Sequence, residues 1–344
     1  MSSQSMPARP PDPAAIFATL QSYQRSFVLK AGIDLDVFTA IAGGKQTAPE
    51  IAQARSASER GIRILCDVLT ILGLLAKQGD RYSLSPDAAF FLDSRSPGYI
   101  GKAFTFLLHP LHWQGMENLS TIVRQGSISP DQSSLAPEDP IWVEFARGMA
   151  PLMQPAARAI AQFLRPLLAG KTSPKVLDVA ASHGMFGITV AQESPNAQIY
   201  AVDWSNVLEV AGENARRAGI ADRHHLIPGS AFEVSYGRDF AAVLLTNFLH
   251  HFDPARNVEL LKRAFAALAP GGRVVILDFV PNPDRVSPPI PAMFSVAMLT
   301  TTPHGDAYTL AELEEMCVKA GFEAVELIPL ESMPQSLVVA RKPA

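Results

Sequence analysis

Cysteine and strong charge are both scarce in this sequence, and each shortage excludes a class of protein. The cysteines are Cys66 and Cys317 alone, too few for a disulfide framework or a four-thiolate zinc site. Lysine and arginine number 29 against 33 acidic residues, which gives a net charge of −4. A mildly acidic chain lacks the basic face that phosphate binding requires, so we expect no nucleic-acid partner.

Long apolar runs are missing too. No uninterrupted stretch of 18 apolar residues occurs, and the first residues lack the apolar core of a signal peptide. We therefore expect a cytoplasmic protein with no membrane partner. What the sequence does have is 48% hydrophobic residues over 344 positions. That is enough for a large core and more than one domain.

The segment from Thr47 to Leu84 has the order of elements of a winged helix. Thr47 and Glu50 form a capping box before one helix, Ser58 begins a second helix, and two short strands follow around Gly79. Five basic residues in this segment are balanced by four acidic ones. The balance argues against a DNA-binding face and favours a structural or dimerising module.

From Lys175 onward, short β-rich runs alternate with helical stretches. The predicted strands are KVLDVA, QIYAVD, HHLIPG, FAAVLLTNFL and RVVILDFV. This alternation predicts an α/β fold with a mostly parallel sheet and helices on both of its faces. The last two runs, GFEAVELIPL and SLVVARK, are typical of an antiparallel hairpin at the sheet edge.

Acidic residues end the first two of these strands. Asp178 precedes a turn of small residues that opens a helix, and Asp203 ends the next strand 25 residues later. A small turn at a helix N-terminus, followed by an acidic strand end, is typical of a nucleoside-cofactor site. Ala180 and Ser182 stand where a pyrophosphate-binding motif has glycines, which argues against a dinucleotide.

The motifs LDVAASHG, AVD, PGSAFEV, FLHHFD, LAPGGRVVILDF and GDAYT followed by AGF together resemble those of class I S-adenosylmethionine-dependent methyltransferases. The whole chain is similar to the small-molecule O-methyltransferase family of secondary metabolism. The resemblance implies a homodimer and S-adenosylmethionine as cofactor. It also implies three parts: a mainly α winged-helix dimerisation domain at 13–100, a helical linker and acceptor-pocket insert at 101–168, and a Rossmann-like catalytic domain at 169–344.

The same resemblance implies where the cofactor binds. Asp203 is expected to bind the ribose hydroxyls, Trp204 to cover the adenine, and the loop 229–232 to meet the adenine. The full set implied for cofactor binding is Asp178, Ala180, Ser182, Gly184, Asp203, Trp204, Gly229, Ser230, Ala231, Phe232 and Asn247.

The segment FLHHFD matches the family segment that carries a catalytic base, and His250 aligns with that base. A neutral imidazole can remove the proton of a hydroxyl nucleophile near neutral pH. Because adjacent residues at a strand end point in opposite directions, we expect His250 rather than His251 to face the acceptor. Asp278 matches the position of an acid that orients the base.

A second family acid is absent, since Ala307 takes its position and Tyr308 replaces the following arginine. This departure leaves open methyl transfer to carbon, nitrogen or sulfur, for which holding the acceptor in line supplies much of the rate. The winged helix leaves open a ligand-sensing regulator with a degenerate methyltransferase domain. No close cluster of acidic residues and histidines suggests a magnesium site, so we expect no metal.

The leading prediction is methyl transfer from S-adenosylmethionine to a hydroxyl of a small aromatic or apolar acceptor. His250 is the predicted base and Asp278 its partner. Methionine side chains adapt to flat apolar ligands. The predicted acceptor-binding residues are Phe145, Met149, Met293 and Met298.

Overall fold

The computed structural model describes residues 11–133, 135–331 and 333–344. The chain divides into two compact units, with the boundary after Gly101. Residues 102–168 therefore fall in the same unit as the large sheet. The three-part division expected from the sequence stays a prediction.

The first unit consists of helices and one small hairpin. Its elements are α1 (Ala14–Gln21), α2 (Tyr23–Asp34), α3 (Val37–Ala42), α4 (Ala48–Arg55), α5 (Glu59–Ile71), β1 (Leu75–Gln78), β2 (Arg81–Leu84) and α6 (Pro86–Phe91). The predicted capping box is confirmed, because the Glu50 carboxylate accepts the Thr47 N–H at 2.9 Å. Ser58 Oγ accepts the Gly61 N–H at 3.1 Å and begins α5, as predicted.

One core holds these elements together. Phe38 of α3, Ile51 of α4, and Ile62 and Leu69 of α5 are fully buried against one another. Tyr82 of β2 joins them, and its hydroxyl donates to the Asp67 carboxylate at 2.7 Å. The hairpin is therefore anchored to the second helix of the winged-helix pattern.

The second unit begins with helices. They are α7 (Ala103–Leu107), α8 (Pro110–Glu117), α9 (Leu119–Gln125) and the long α10 (Pro140–Leu168), with a 3-10 turn at Pro130–Gln132. Asp139 caps α10 by accepting the Ile141 N–H at 2.9 Å. The start of α7 lies against α10 at Gly148, where a Cβ would come within 2.7 Å of the Lys102 carbonyl oxygen. Only a residue without a side chain permits this approach.

A seven-stranded sheet follows in the described part of the second unit. Its strands are β3 (Lys175–Val179), β4 (Gln198–Asp203), β5 (His224–Pro228), β6 (Phe240–Thr246), β7 (Leu268–Asp278), β8 (Glu323–Pro329) and β9 (Ser336–Arg341). They lie in the order β5-β4-β3-β6-β7-β9-β8. The first five strands are parallel, and β9 is antiparallel to both β7 and β8. The predicted α/β fold and its closing hairpin are confirmed.

Helices cover both faces of this sheet. They are α10, α11 (Met185–Glu193), α12 (Ser205–Arg217), α13 (Pro254–Ala267) and α15 (Leu310–Lys319). Helix α14 (Pro289–Thr301) packs against α8 and α9. Side chains of α10 and α11 form one buried cluster with the strands, and side chains of α13 and α15 form the other. Among the described residues, no helix is long and apolar enough to cross a membrane.

The strand order reverses between β3 and β6. The chain runs from β3 to β4 and β5 on one side, and then returns to β6 and β7 on the other. Ligands of open α/β sheets bind at the carboxyl ends of the strands that flank such a reversal. Asp178 lies near the carboxyl end of β3, and Asp203 and Asp278 end the parallel strands β4 and β7, so the topology gathers all three at one edge.

Candidate active site

The turn after β3 has a left-handed backbone at three positions. Ala180, Ser182 and Gly184 have φ values of 55°, 51° and 71°. For alanine and serine this conformation costs about 1–2 kcal/mol per residue. Such strain persists where the surrounding structure enforces it, and it concentrates at ligand-binding sites.

Asp203 is one of the residues that hold this turn. Its carboxylate accepts the Ser182 N–H at 2.8 Å and the Trp204 N–H at 2.7 Å. Burial raises the pKa of Asp203 to about 6, against the effect of these two hydrogen bonds. A carboxylate has about four acceptor positions, so Asp203 can still accept the two hydroxyls of a ribose. Trp204 lies at the start of α12 and packs against the buried cluster of Ala146, Val207 and Val210.

Asp178 lies below the same turn and is fully buried. Its Oδ2 accepts the Gly187 N–H at 3.0 Å, and Oδ1 has no partner within the described chain. Burial is the main cause that raises the pKa of Asp178 to about 7, and the charge of Asp203 adds to it. The Ser182 hydroxyl is also buried and unpartnered. Unsatisfied buried polar atoms of this kind suit a ligand that brings hydrogen-bond donors and positive charge.

The loop after β5 lies on the other side of Asp203 from the turn after β3. The Gly229 N–H donates to the Asp203 carbonyl at 2.9 Å, and the Phe232 N–H donates to Ser230 Oγ at 3.2 Å. The Ala231 carbonyl accepts from Arg263 Nε at 3.2 Å. These contacts hold the loop beside Asp203, at the position where the sequence analysis predicts that the adenine binds.

Asn247 follows β6 and also has a left-handed backbone, with φ 50°. Its N–H donates to the Leu277 carbonyl at 2.7 Å. Gln335, just before β9, donates from Nε2 to Asn247 Oδ1 at 3.4 Å. Gln335 was absent from the predicted site residues. No local pattern marks it, because its partner lies 88 positions away in the sequence.

His250 and Asp278 are brought together in the interior. His250 Nδ1 lies 2.6 Å from Asp278 Oδ1, and both side chains are about 5% exposed. The Phe279 N–H donates to the same oxygen at 2.8 Å. When Asp278 is ionised its carboxylate can only accept, so a neutral His250 paired with it carries its proton on Nδ1 and keeps the lone pair on Nε2. Phe294 packs edge-on against the His250 ring at 4.8 Å and restrains it.

The argument from alternating strand residues was wrong for the two histidines. β6 ends at Thr246, and His250 and His251 lie in a 3-10 turn at Leu249–His251. Their ring centroids are 4.3 Å apart, so the rings do not point to opposite faces of a sheet. Burial and the neighbouring His250 lower the pKa of His251 well below its usual range, which keeps that imidazole neutral.

Aromatic rings and imidazoles form a cluster between the cofactor turn and these histidines. Its members, called the ring cluster here, are Phe106, His112, Trp142, Phe145, His183 and His251. Phe145 stacks on His183 of the turn at 6.4 Å, and Trp142 meets His251 edge-on at 5.3 Å. The cluster thus connects the carboxyl ends of β3 and β6.

The three methionines predicted to bind the acceptor lie outside the ring cluster, unlike Phe145. Met149 is half-buried against the α10 and α11 cluster, and Met298 is buried in α14 at 5% exposure. Met293 is 71% exposed. Phe145 is the member of this predicted set that lies in the ring cluster, and His112 and Phe106 join it there.

Two sequence profiles match the chain. The O-methyltransferase dimerisation domain matches residues 17–94, and the O-methyltransferase domain matches residues 143–323, more than half of the chain. The chain belongs to the O-methyltransferase family. This result confirms the family resemblance, and with it an enzyme of class I methyltransferase fold that uses S-adenosylmethionine.

This O-methyltransferase has relatives along almost its whole length. The tetracenomycin polyketide synthesis 8-O-methyl transferase TcmO of Streptomyces glaucescens is 27% identical over 335 residues, covering 96% of this chain and 97% of the relative. A crystal structure of a presumptive O-methyltransferase from Nostoc punctiforme is 49% identical, with a TM-score of 0.91, and covers 97% of this chain and 100% of that one. Human N-acetylserotonin methyltransferase, solved in complex with S-adenosylmethionine, shares the fold at 19% identity and a TM-score of 0.84, covering 98% of this chain and 100% of that one.

Proposed function

We propose that this O-methyltransferase methylates a hydroxyl group of a small, neutral aromatic acceptor, with His250 as the general base. The observation that carries the proposal is the 2.6 Å contact between His250 Nδ1 and Asp278 Oδ1. Asp278 holds the imidazole in the tautomer whose Nε2 lone pair can take a proton. The same arrangement of histidine and buried carboxylate activates hydroxyl nucleophiles in hydrolases.

The proton balance follows from this assignment. S-adenosylmethionine supplies an electrophilic methyl group on a positively charged sulfur. As the acceptor oxygen forms its bond to that methyl carbon, the carbon–sulfur bond would break and its electron pair would leave with the sulfur of S-adenosylhomocysteine. The acceptor's proton passes to His250 Nε2, and Asp278 stabilises the resulting imidazolium. Since Asp278 is buried beside a single imidazole, its negative charge acts at short range and through little solvent.

The cofactor residues are proposed from the geometry of the turn and loop. Asp203 has acceptor positions left for the ribose hydroxyls. Ser230 and Phe232 lie on the loop held against Asp203, where the adenine is expected, and Trp204 is proposed to cover it. The unpartnered Ser182 hydroxyl and Asp178 Oδ1 fit a ligand with donor groups and positive charge.

The ring cluster supports a neutral aromatic acceptor. Burial lowers the pKa of His112, and it lowers the pKa of His183 to about 4, so these imidazoles carry no charge at neutral pH. His112 Nε2 and His251 Nδ1 are buried and unpartnered among the described residues. They can therefore hydrogen-bond polar substituents of an otherwise apolar ring. Phe145 is proposed as a wall of this site, whereas Met149, Met298 and the 71% exposed Met293 lie outside the ring cluster and stay predictions from the sequence.

We also propose a homodimer, which the dimerisation-domain match supports. Helix α1 buries none of its side chains in the chain's own core, and Ile16, Phe17 and Leu20 are each more than half exposed. A second copy would cover this apolar face. Sedimentation of the full chain at the 37.1 kDa mass of one copy would contradict the dimer.

Replacing the base tests the proposed function. We expect His250→Gln to lower the turnover of methyl transfer by about 10²–10⁴-fold, the usual contribution of a general base. Affinity for S-adenosylhomocysteine should stay within twofold, because His250 is not among the residues proposed to bind the cofactor. The readout is formation of S-adenosylhomocysteine and of O-methylated product from a panel of hydroxyarenes, followed by mass spectrometry.

The adjacent histidine is the matched control for this variant. His251→Gln changes an imidazole in the same turn but leaves the His250–Asp278 contact in place, so we expect a smaller loss of turnover. A loss below tenfold for His250→Gln, or an equal loss for both variants, would remove His250 from the role of base. Methylation at carbon or nitrogen instead of oxygen would contradict the proposed acceptor atom.

A further inference from the structure

Side chains from other segments donate hydrogen bonds to the backbone carbonyls of the turn that carries His250 and His251. Asn257 of α13 is fully buried, and its Nδ2 donates to the Leu249 carbonyl at 2.9 Å and to the Phe252 carbonyl at 3.2 Å. The Tyr308 hydroxyl also donates to the Phe252 carbonyl. The residues on either side of the histidine pair are therefore fixed from two directions.

Gly305 approaches the middle of the same turn. A Cβ at this position would overlap the His250 carbonyl oxygen, and it would lie 2.5 Å from Thr302 Oγ1 and 3.2 Å from the carbonyl carbon of His251. Two of these three neighbours are backbone atoms, which cannot rotate out of the way. The Gly305 N–H donates to Thr302 Oγ1 at 2.8 Å, and this hydroxyl donates to the Met298 carbonyl at 2.7 Å. Gly305 is thus anchored to the end of α14 and cannot retreat easily.

We propose that Asn257, Gly305 and Tyr308 are positioning residues that hold the His250 imidazole in line with Asp278. The inference rests on the proposed function only in treating His250 as the base. His250 and Asp278 come from different segments, the 3-10 turn and the end of β7. Their contact therefore depends on how the turn is seated as well as on the two side chains. Displacement of a reacting group by about 1 Å can cost 10²-fold in rate.

The turn also has apolar contacts, which are less directional than hydrogen bonds. The fully buried Leu249 side chain packs in the cluster formed by α13, α15 and the strands, and His251 meets Trp142, Phe248 and Phe252 edge-on. The carbonyl contacts of Asn257 and Tyr308 have defined directions, and Gly305 removes the space into which the His250 carbonyl could move. Together they restrict translation of the turn toward α14 and α15.

The experiment reads the His250–Asp278 contact directly in the full chain. The proton on His250 Nδ1 should give a downfield resonance in the ¹H NMR spectrum, assigned by its loss in His250→Gln. In Gly305→Ala we expect this resonance to disappear, or its exchange with water to quicken at least tenfold. Gly212→Ala is the matched control, because a Cβ there meets only the ends of Leu226 and Arg216 side chains at 3.5 and 3.6 Å. It should keep the wild-type resonance.

Tyr308→Phe provides a second variant in case Gly305→Ala does not fold. It removes one donor to the Phe252 carbonyl and keeps the ring, so we expect exchange of the same proton to quicken several-fold at an unchanged melting temperature. A purely structural role would lower the melting temperature and leave the resonance unchanged. Wild-type exchange in every folded variant would overturn the proposal. The measurement needs no acceptor, so its outcome is independent of whether His250→Gln loses activity.

Discussion

At the scale of single residues, the main feature of the site is a pair of buried carboxylates. Asp178 and Asp203 have pKa values raised to about 7 and about 6 by burial. Asp178 still accepts one backbone N–H group and Asp203 accepts two, and these bonds oppose the burial effect without cancelling it. A cofactor with positive charge would compensate such carboxylates, which supports the proposed binding of S-adenosylmethionine beside this turn.

The raised pKa of Asp178 predicts how stability changes with pH. In the unfolded chain Asp178 loses its proton near pH 4, whereas the folded chain keeps it until about pH 7. The folded state therefore binds more protons in this window, and its stability falls as pH rises through it. In Asp178→Asn this contribution is absent. We expect the melting temperature of the variant relative to wild type to increase between pH 4 and pH 7, and then to level off.

Thermal unfolding of the ligand-free protein at several pH values checks this expectation. Asp222→Asn is the control, since Asp222 lies in an exposed 3-10 turn before β5. A constant difference between wild type and Asp178→Asn across the window would contradict the raised pKa.

At the scale of elements, local patterns predicted what depends on local chemistry. The Thr47–Glu50 capping box, the strands and the acids at their ends follow from spacing alone. The left-handed backbone at Ala180 and Ser182 does not, since it runs against the preference of both residues, and Ser182 is held by Asp203, which lies 21 positions away. The alternation rule failed at His250 and His251 because β6 ends before them. The contacts of Asn257 and Tyr308 with that turn likewise join separate elements.

The close approach of α7 to α10 gives a prediction at this scale. Gly148→Ala places a methyl group against the Lys102 backbone, so we expect a loss of about 1–3 kcal/mol in the free energy of unfolding. The same substitution at Gly212, in α12, meets only ordinary van der Waals contacts. There the better helix propensity of alanine should add up to about 1 kcal/mol. Urea unfolding measures both, and equal effects at the two glycines would contradict the packing argument.

At the scale of the whole molecule, the sequence predicted the α/β sheet, its closing hairpin and the family. Such features repeat along the chain in a recognisable order. The proposed acceptor site is different, because the ring cluster that would form its walls comes from α7, α8, α10, the turn after β3 and the turn after β6, segments up to about 150 residues apart. Phe145 could be predicted as a site residue because it lies in an aromatic-rich stretch of sequence. Gln335 could not, because its partner Asn247 lies 88 positions away. Which acceptor binds depends on how these segments pack against one another, and no single stretch of sequence predicts that packing.

The proposed role of His250 is to remove the proton of an acceptor hydroxyl. A comparison of wild type with His250→Ala tests this role on one accepted hydroxyarene and on fluorinated analogues whose hydroxyls are progressively more acidic. We predict a rate ratio of about 10²–10⁴ for the parent acceptor. The ratio should fall steadily along the series, because a hydroxyl that ionises unaided needs no base. A ratio that stays constant across the series, or is below tenfold for the parent, would contradict the claim.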